Sequence, residues 1–180
     1  MLVLDDGIIF RIFGYNHKPL KKMKNSNIIG LSDADCKNIA GKLNDLLANY
    51  SIFYQNTRGA HWNIKGDQFF VLHPKFEELY NNLIIKIDEI AERILTLGAV
   101  PEHNYSKYLK VSKIKESTDV SDATKDIESI LSSFKVIIDL QRELLDLSEK
   151  AGDEGTNSQM SDYITEQEKE VWMYNSYLGK

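Results

Sequence analysis

The sequence predicts an all-α protein: four long helices forming one bundle, with a long crossover holding one short helix between the second and the third. Three observations predict this. Apolar residues recur at three- and four-residue steps in four separate stretches, helix caps and breakers stand at the ends of those stretches, and neither strand alternation nor an internal repeat occurs anywhere. Ser32, followed by Asp33 and Asp35, opens the first helix, because the hydroxyl accepts from free backbone N–H groups and the acids complement the positive end of the helix dipole. Its stripe is Ile39, Leu43, Leu46, Leu47, Tyr50, Phe53 and Tyr54, continuing to about His61-Trp62, after which Asn63-Ile64-Lys65-Gly66 breaks it. About 30 residues at 1.5 Å each make a rod of roughly 45 Å.

The second helix is expected from about Asp67 to Leu97, with Phe76, Leu79, Tyr80, Leu83, Ile87, Ile90, Ala91 and Ile94 on one face and Gly98 as the stop. Pro74 lacks an N–H and crowds the preceding turn, so a kink there, or a regular start near His73, is expected. Residues 99–121 contain Pro101 and a cluster of Ser, Thr and Asp. They read as the crossover, with a short helix around Tyr105–Leu109. The third long helix, capped by Ser121 or Asp122, carries Ile127, Ile130, Leu131, Phe134, Ile137, Ile138, Leu140, Leu144, Leu145 and Leu147 before Gly152. Asp153–Asn157 reads as a turn. The fourth helix starts near Asn157, with Met160, Ile164, Val171, Trp172, Tyr174 and Leu178 inward and Glu166, Glu168, Lys169 and Glu170 exposed. Four long helices with one long middle connection are the ferritin-like form of the four-helix bundle.

Bulk properties narrow the function. The 180 residues are 42% hydrophobic and 27% charged, enough for one domain with a real core, and no apolar run approaches the roughly 20 residues of a membrane span. Cys36 is the only cysteine, so no internal disulfide forms and the cytoplasm is the expected compartment. The net charge of −5 opposes a nucleic-acid coat, which needs clustered Lys and Arg. Residues 1–22 differ from the rest: Arg11, Lys18, Lys21 and Lys22 against Asp5 and Asp6 give +2, leaving −7 elsewhere. Their apolar stretch is broken by Arg11 and no small-residue cleavage site follows, so they do not read as a signal peptide. They are expected to be a peripheral extension or to lie upstream of a true start at Met23, with residues 23–180 forming the bundle domain.

The chemistry-bearing residues are His61 and His73, twelve apart, then Asp88 and, one helical turn on, Glu92. Imidazole nitrogen with carboxylate oxygen suits iron, whereas a structural zinc site usually recruits thiolates. On a helical wheel Leu83, Ile87, Ile90, Ala91 and Ile94 form the core stripe of the second helix. Glu77, Asp88 and Glu92 fall off one edge of it, sharing their strip with Asn81, Ile84, Ile85 and Leu95, while Lys75, Glu78, Lys86, Glu89 and Arg93 occupy the solvent sector. A mixed apolar and acidic strip beside a core stripe reads as a subunit contact. His61 falls on the core side of the first helix, so a site shared between two subunits is plausible. Singly these residues prove little, since a lone His on an apolar face is usually a satisfied core residue, and bulk alone explains Trp62 and Trp172. A di-iron site inside one bundle uses Glu-x-x-His pairs. The residues three before His17, His61, His73 and His103 are Gly14, Arg58, Phe70 and Val100, so that arrangement is excluded.

His61-Trp62-Asn63-Ile64-Lys65-Gly66, then Phe69-Phe70-x-Leu72-His73-x-Lys75-Phe76-Glu77-Glu78-Leu79-Tyr80, then Asp88-x-Ile90-Ala91-Glu92-Arg93-Ile94-x-x-Leu97-Gly98 resemble the Dps proteins, the DNA-binding proteins from starved cells. Asp153-Glu154-Gly155-Thr156-Asn157 and Glu168-Lys169-Glu170-x-Trp172-Met173 are similar too, and the likeness covers about residues 32–180. The resemblance implies a hollow dodecamer that oxidises Fe(II), preferentially with hydrogen peroxide, stores ferric mineral and so protects against oxidative stress. It implies a di-iron site at a dimer interface, with His61 and His73 from one subunit, Asp88 and Glu92 from its two-fold partner, and Glu77 as a further ligand or a supporting group. It also implies that Trp62 lies beside the site and intercepts oxidising equivalents, and that Asp153, Glu154 and Asp162 are candidates for lining iron-entry pores. The alternatives are DNA compaction through the basic stretch His17–Lys24, which the acidic shell opposes, and a helical oligomer without metal chemistry.

Overall fold

The computed structural model describes residues 28–118 and 121–180. The expectations for residues 1–22 and Met23 lie outside the described residues. Among the described residues five helices follow in order: α1 (Asp33–Asn63), α2 (Phe69–Thr96), α3 (Tyr105–Val111), α4 (Ala123–Ala151) and α5 (Glu154–Tyr177). Among the described residues there is no strand, and no helix is long and apolar enough to cross a membrane. The caps work as their side chains dictate. Ser32 accepts from the Asp35 N–H at 3.1 Å, Asp122 accepts from the Lys125 N–H at 3.0 Å, and Gly152 ends α4 at φ +67°, a left-handed conformation that costs glycine nothing.

α1 packs on α2 and on α4, and α4 packs on α5, closing a core of Leu43, Leu46, Phe53, Phe76, Leu83, Ile90, Phe134, Ile137 and Leu144. Phe53 and Phe134 meet edge to face at 5.1 Å between ring centres, a favoured aromatic geometry. A polar cluster lies among these apolar side chains. The Tyr50 hydroxyl receives the side-chain amides of Gln141 at 2.7 Å and Gln167 at 2.5 Å, so α1, α4 and α5 are tied together at their buried centre. The crossover is laced to α1 by three asparagines. Asn44 Oδ1 accepts from the Glu102 N–H at 2.7 Å, Asn49 Oδ1 from Lys113 at 2.9 Å, and Asn56 Oδ1 from Ser117 at 2.9 Å, which satisfies backbone groups that have no helix of their own.

Three details depart from the sequence expectation, and at Pro74 one of the two expected outcomes does not occur. α2 runs continuously through Pro74 from Phe69, so its start is not shifted to His73. Pro74 is the sixth residue of the helix, and the i→i−4 bond it cannot donate is the one to the carbonyl of Phe70, whose side chain is exposed. α5 starts at Glu154, three residues before the expected Asn157, because Asp153 caps it by accepting from the Thr156 N–H at 3.0 Å. The solvent sector assigned to α2 is in part its seam with α5: Lys86 is only 5% exposed and pairs with Glu166 at 2.6 Å, Arg93 pairs with Asp153, and Glu89 accepts from the Tyr163 hydroxyl. Trp172 is 65% exposed rather than inward, and Glu170 is half-buried rather than exposed; Tyr163 and Gln167 take the inward positions of α5.

Candidate metal centre

His61 stands in the last turn of α1 and His73 in the second turn of α2, and the short connection between them folds the two rings face to face. Gly66 makes the turn at φ +93°, and the Phe69 N–H returns to the Gly66 carbonyl at 3.2 Å. The imidazoles then stack at 3.8 Å between ring centres with planes 23° apart. Each Nδ1 reaches the other histidine's backbone carbonyl: His61 Nδ1 to the His73 oxygen at 2.8 Å, and His73 Nδ1 to the His61 oxygen at 2.9 Å. A carbonyl only accepts, so both Nδ1 atoms carry protons, and the nitrogen left to offer a lone pair to a metal is Nε2. Fixing the tautomer and ring direction through the second nitrogen is how proteins prepare histidines to bind metal. The Phe69 ring stacks on His73 at 4.8 Å and the Tyr80 ring stands edge-on to His61 at 5.3 Å, so the pair is held by aromatic packing as well.

The carboxylates lie elsewhere on α2. Asp88 and Glu92 are exposed, one turn apart, and neither side chain makes a hydrogen bond or ion pair within the described residues. Beside them Ile84, Ile85 and Leu95 are large apolar side chains left in solvent. Fifteen residues of helix separate Asp88 from His73, about 22 Å along the axis, so one chain cannot bring both pairs to a common metal. In keeping with that distance, no group of three or more His, Cys, Asp or Glu side chains among the described residues could hold a metal ion. Glu77 is exposed and accepts from the Tyr80 hydroxyl at 3.2 Å; burial first, and then the facing Glu77, hold the Tyr80 phenol above its usual pKa.

The other named residues sort by environment. Trp62, next to His61 in sequence, is 57% exposed, with the Arg58 guanidinium 4.5 Å from its ring centre, a cation–π contact. Of the pore candidates, Glu154 and Asp162 are exposed, whereas Asp153 is 3% exposed and committed to capping α5, to the Thr156 hydroxyl and to Arg93. Asp153 is thus a structural acid in this fold. Sequence reasoning missed the aromatic surround of the clasp. Tyr80 reads as a core position from its period alone, although its place three residues after Glu77 puts the two side chains on one helix face.

The sequence profile of the ferritin-like domain family matches residues 40–180. An uncharacterized protein of Haemophilus influenzae is 55% identical over 148 residues, covering 82% of this chain and 92% of that protein. The DNA protection during starvation protein of Porphyromonas gingivalis is 39% identical over 153 residues, covering 85% of this chain and 96% of its own. The chain belongs to the Dps family. A crystal structure of the Dps protein from Vibrio cholerae, described as a member of a broad superfamily of ferritin-like diiron-carboxylate proteins, superposes with a TM-score of 0.84 at 51% identity, covering 88% of this Dps-family chain and 99% of that one.

Proposed function

We propose that this Dps-family chain is a ferroxidase that oxidises Fe(II), preferentially with hydrogen peroxide, and stores the ferric product inside a hollow homododecamer in the cytoplasm. The observation that carries the reading is the reciprocal clasp of His61 and His73, which fixes two imidazole lone pairs without spending them on protein. The donor set is completed by Asp88 and Glu92 of the partner subunit, with Glu77 as a supporting group. The uncommitted carboxylates amid exposed Ile84, Ile85 and Leu95 support an interface there, since apolar groups beside unpaired acids gain most from a covering surface. Hard carboxylate oxygens favour Fe(III) over Fe(II), and the imidazoles hold the geometry. Two Fe(II) ions give two electrons to one peroxide, its O–O bond breaks to yield two hydroxides, and no hydroxyl radical escapes. Protection of this kind needs no contact with DNA. Glu154 and Asp162, exposed at the start of α5, are the acids available to line an iron-entry pore.

Mixed assemblies test the shared site. His61→Ala and Asp88→Ala oligomers each lose rapid Fe(II) oxidation by peroxide in stopped-flow absorbance. In a two-fold pair of one His61→Ala and one Asp88→Ala subunit, both defects fall in one site and the other site is intact. Refolding the two variants together at equal amounts therefore restores about a quarter of the sites. Failure of the mixture to regain activity, at unchanged oligomer mass, refutes a site built across subunits.

A further inference from the structure

Three electron-rich side chains are linked to the imidazole clasp, by ring contact or by sequence, and their settings differ. Tyr80 touches it directly, its ring 5.3 Å from that of His61, and its hydroxyl donates to Glu77 Oε1 at 3.2 Å. Tyr54 is one step further out, 6.1 Å from Tyr80. Trp62 neighbours His61 in sequence. Both outer rings lie beside a fixed positive charge, for the Arg58 guanidinium is 5.2 Å from the Tyr54 ring centre and 4.5 Å from that of Trp62. Removing an electron from a ring leaves it positive, so a cation over its face raises the cost, and the effect grows in partly desolvated surroundings. A phenol that loses an electron must also lose its proton. Among the described residues only Tyr80, of the three, has a carboxylate positioned to take it.

From this arrangement we infer that Tyr80, rather than Trp62, is the first protein group oxidised at the iron site, with Glu77 as its proton acceptor. The inference rests on the proposed ferroxidase reading. Peroxide takes two electrons, so a site holding a single Fe(II) is one electron short. Tyr80 supplies it. One Fe(II), one hydrogen peroxide and the Tyr80 phenol give one Fe(III), the Tyr80 phenoxyl radical, one water and one hydroxide. The O–O bond and the phenol O–H bond break, and the phenol proton passes through Glu77 to a peroxide oxygen. Without this electron the same half-loaded site would release a hydroxyl radical.

Freeze-quench electron paramagnetic resonance tests this on the assembled protein, loaded with less than one Fe(II) per site and mixed with peroxide. The wild-type protein is expected to give a tyrosyl signal that changes shape when the chain carries ring-deuterated tyrosine. Tyr80→Phe, which keeps the ring against His61, loses that signal while spin-trapped hydroxyl radical rises. Tyr54→Phe and Trp62→Phe retain it. A signal that survives Tyr80→Phe, that vanishes in Tyr54→Phe or Trp62→Phe, or that shows an indole pattern overturns the inference, as does rapid iron oxidation with no protein radical. Those outcomes leave the ferroxidase reading standing, whereas absence of any Fe(II) oxidation by peroxide at full loading removes both.

Discussion

α2 carries acids and apolar residues on two flanks that its own sequence scarcely distinguishes, and the two are used in opposite ways. On the flank facing α5 the charges are spent. Arg93 pairs with Asp153, Lys86 with Glu166, and Glu89 with the Tyr163 hydroxyl. On the opposite strip the Asp88 and Glu92 side chains make no hydrogen bond or ion pair among the described residues, and Ile84, Ile85 and Leu95 are exposed. A carboxylate that already has a cation holds the fold; one that has none is available to a metal or a neighbour. The side chain's partners, rather than its type, separate scaffold from chemistry here.

The sharpest way to break this contrast is to remove a spent acid. Asp153→Ala strips the cap of α5 and leaves Arg93, only 18% exposed at its side chain, beside a cavity without counter-charge; breaking one partner of such a buried pair costs about 3–5 kcal/mol. Calorimetry should show a large fall in Tm, and a Tm unchanged from wild type would mean that the pair contributes nothing. Asp88→Ala and Glu92→Ala should do the reverse. Being exposed and partnerless, each should alter protomer stability by no more than about 0.5 kcal/mol while slowing peroxide-driven Fe(II) oxidation about tenfold or more, as loss of groups around a metal commonly does. Equal losses of stability on both flanks would erase the distinction.

The smallest effect sharpens it. Glu170 lies half-buried between α5 and α2 with no hydrogen bond among the described residues, and burial first, opposed by Lys75 and Lys169 and helped by Glu166 and Glu78, raises its carboxyl above the ordinary 4.5. A raised folded-state value means the proton is held more tightly in the native chain. The associated stability is complete below pH 4.5 and is lost as pH rises through the raised value. Glu170→Gln should therefore raise Tm at pH 7 and have little effect below pH 4.5; a lowered Tm at pH 7 would show that Lys75 dominates instead.

Much of this was legible in the chain because periodicity and caps act locally. Ser32, Asp122 and Gly152 bound their helices as their chemistry requires, and the wheel sets His61 on the core side of α1 apart from Asp88 and Glu92 at the edge of the α2 stripe, while His73 is kept from Asp88 by fifteen residues of helix. The misreadings share a cause. A wheel drawn on α2 alone cannot see α5, so Lys86 and Arg93 looked solvated when they were seam, while Glu89 stays exposed and still accepts from Tyr163. Asp153 read as a turn residue because its side chain caps the helix that follows it. Trp172 looked inward by hydrophobicity, yet Gln167 is the buried residue, since the Tyr50 hydroxyl gives its amide a partner. The mutual clasp of His61 and His73 depends on backbone carbonyls brought together by a turn, which side-chain patterns do not encode.

Gly155 has a consequence of its own. A methyl group added there would stand 2.9 to 3.1 Å from the Arg93 guanidinium, the flexible end of a long side chain. Arg93 could retreat easily, and that ease is the hazard, because retreat would leave Asp153 enclosed with its charge unanswered. A position with no functional atom, far from the histidines in sequence, thus acts as a spacer whose emptiness the helix seam requires. Natural variation should spare it as strictly as it spares a ligand.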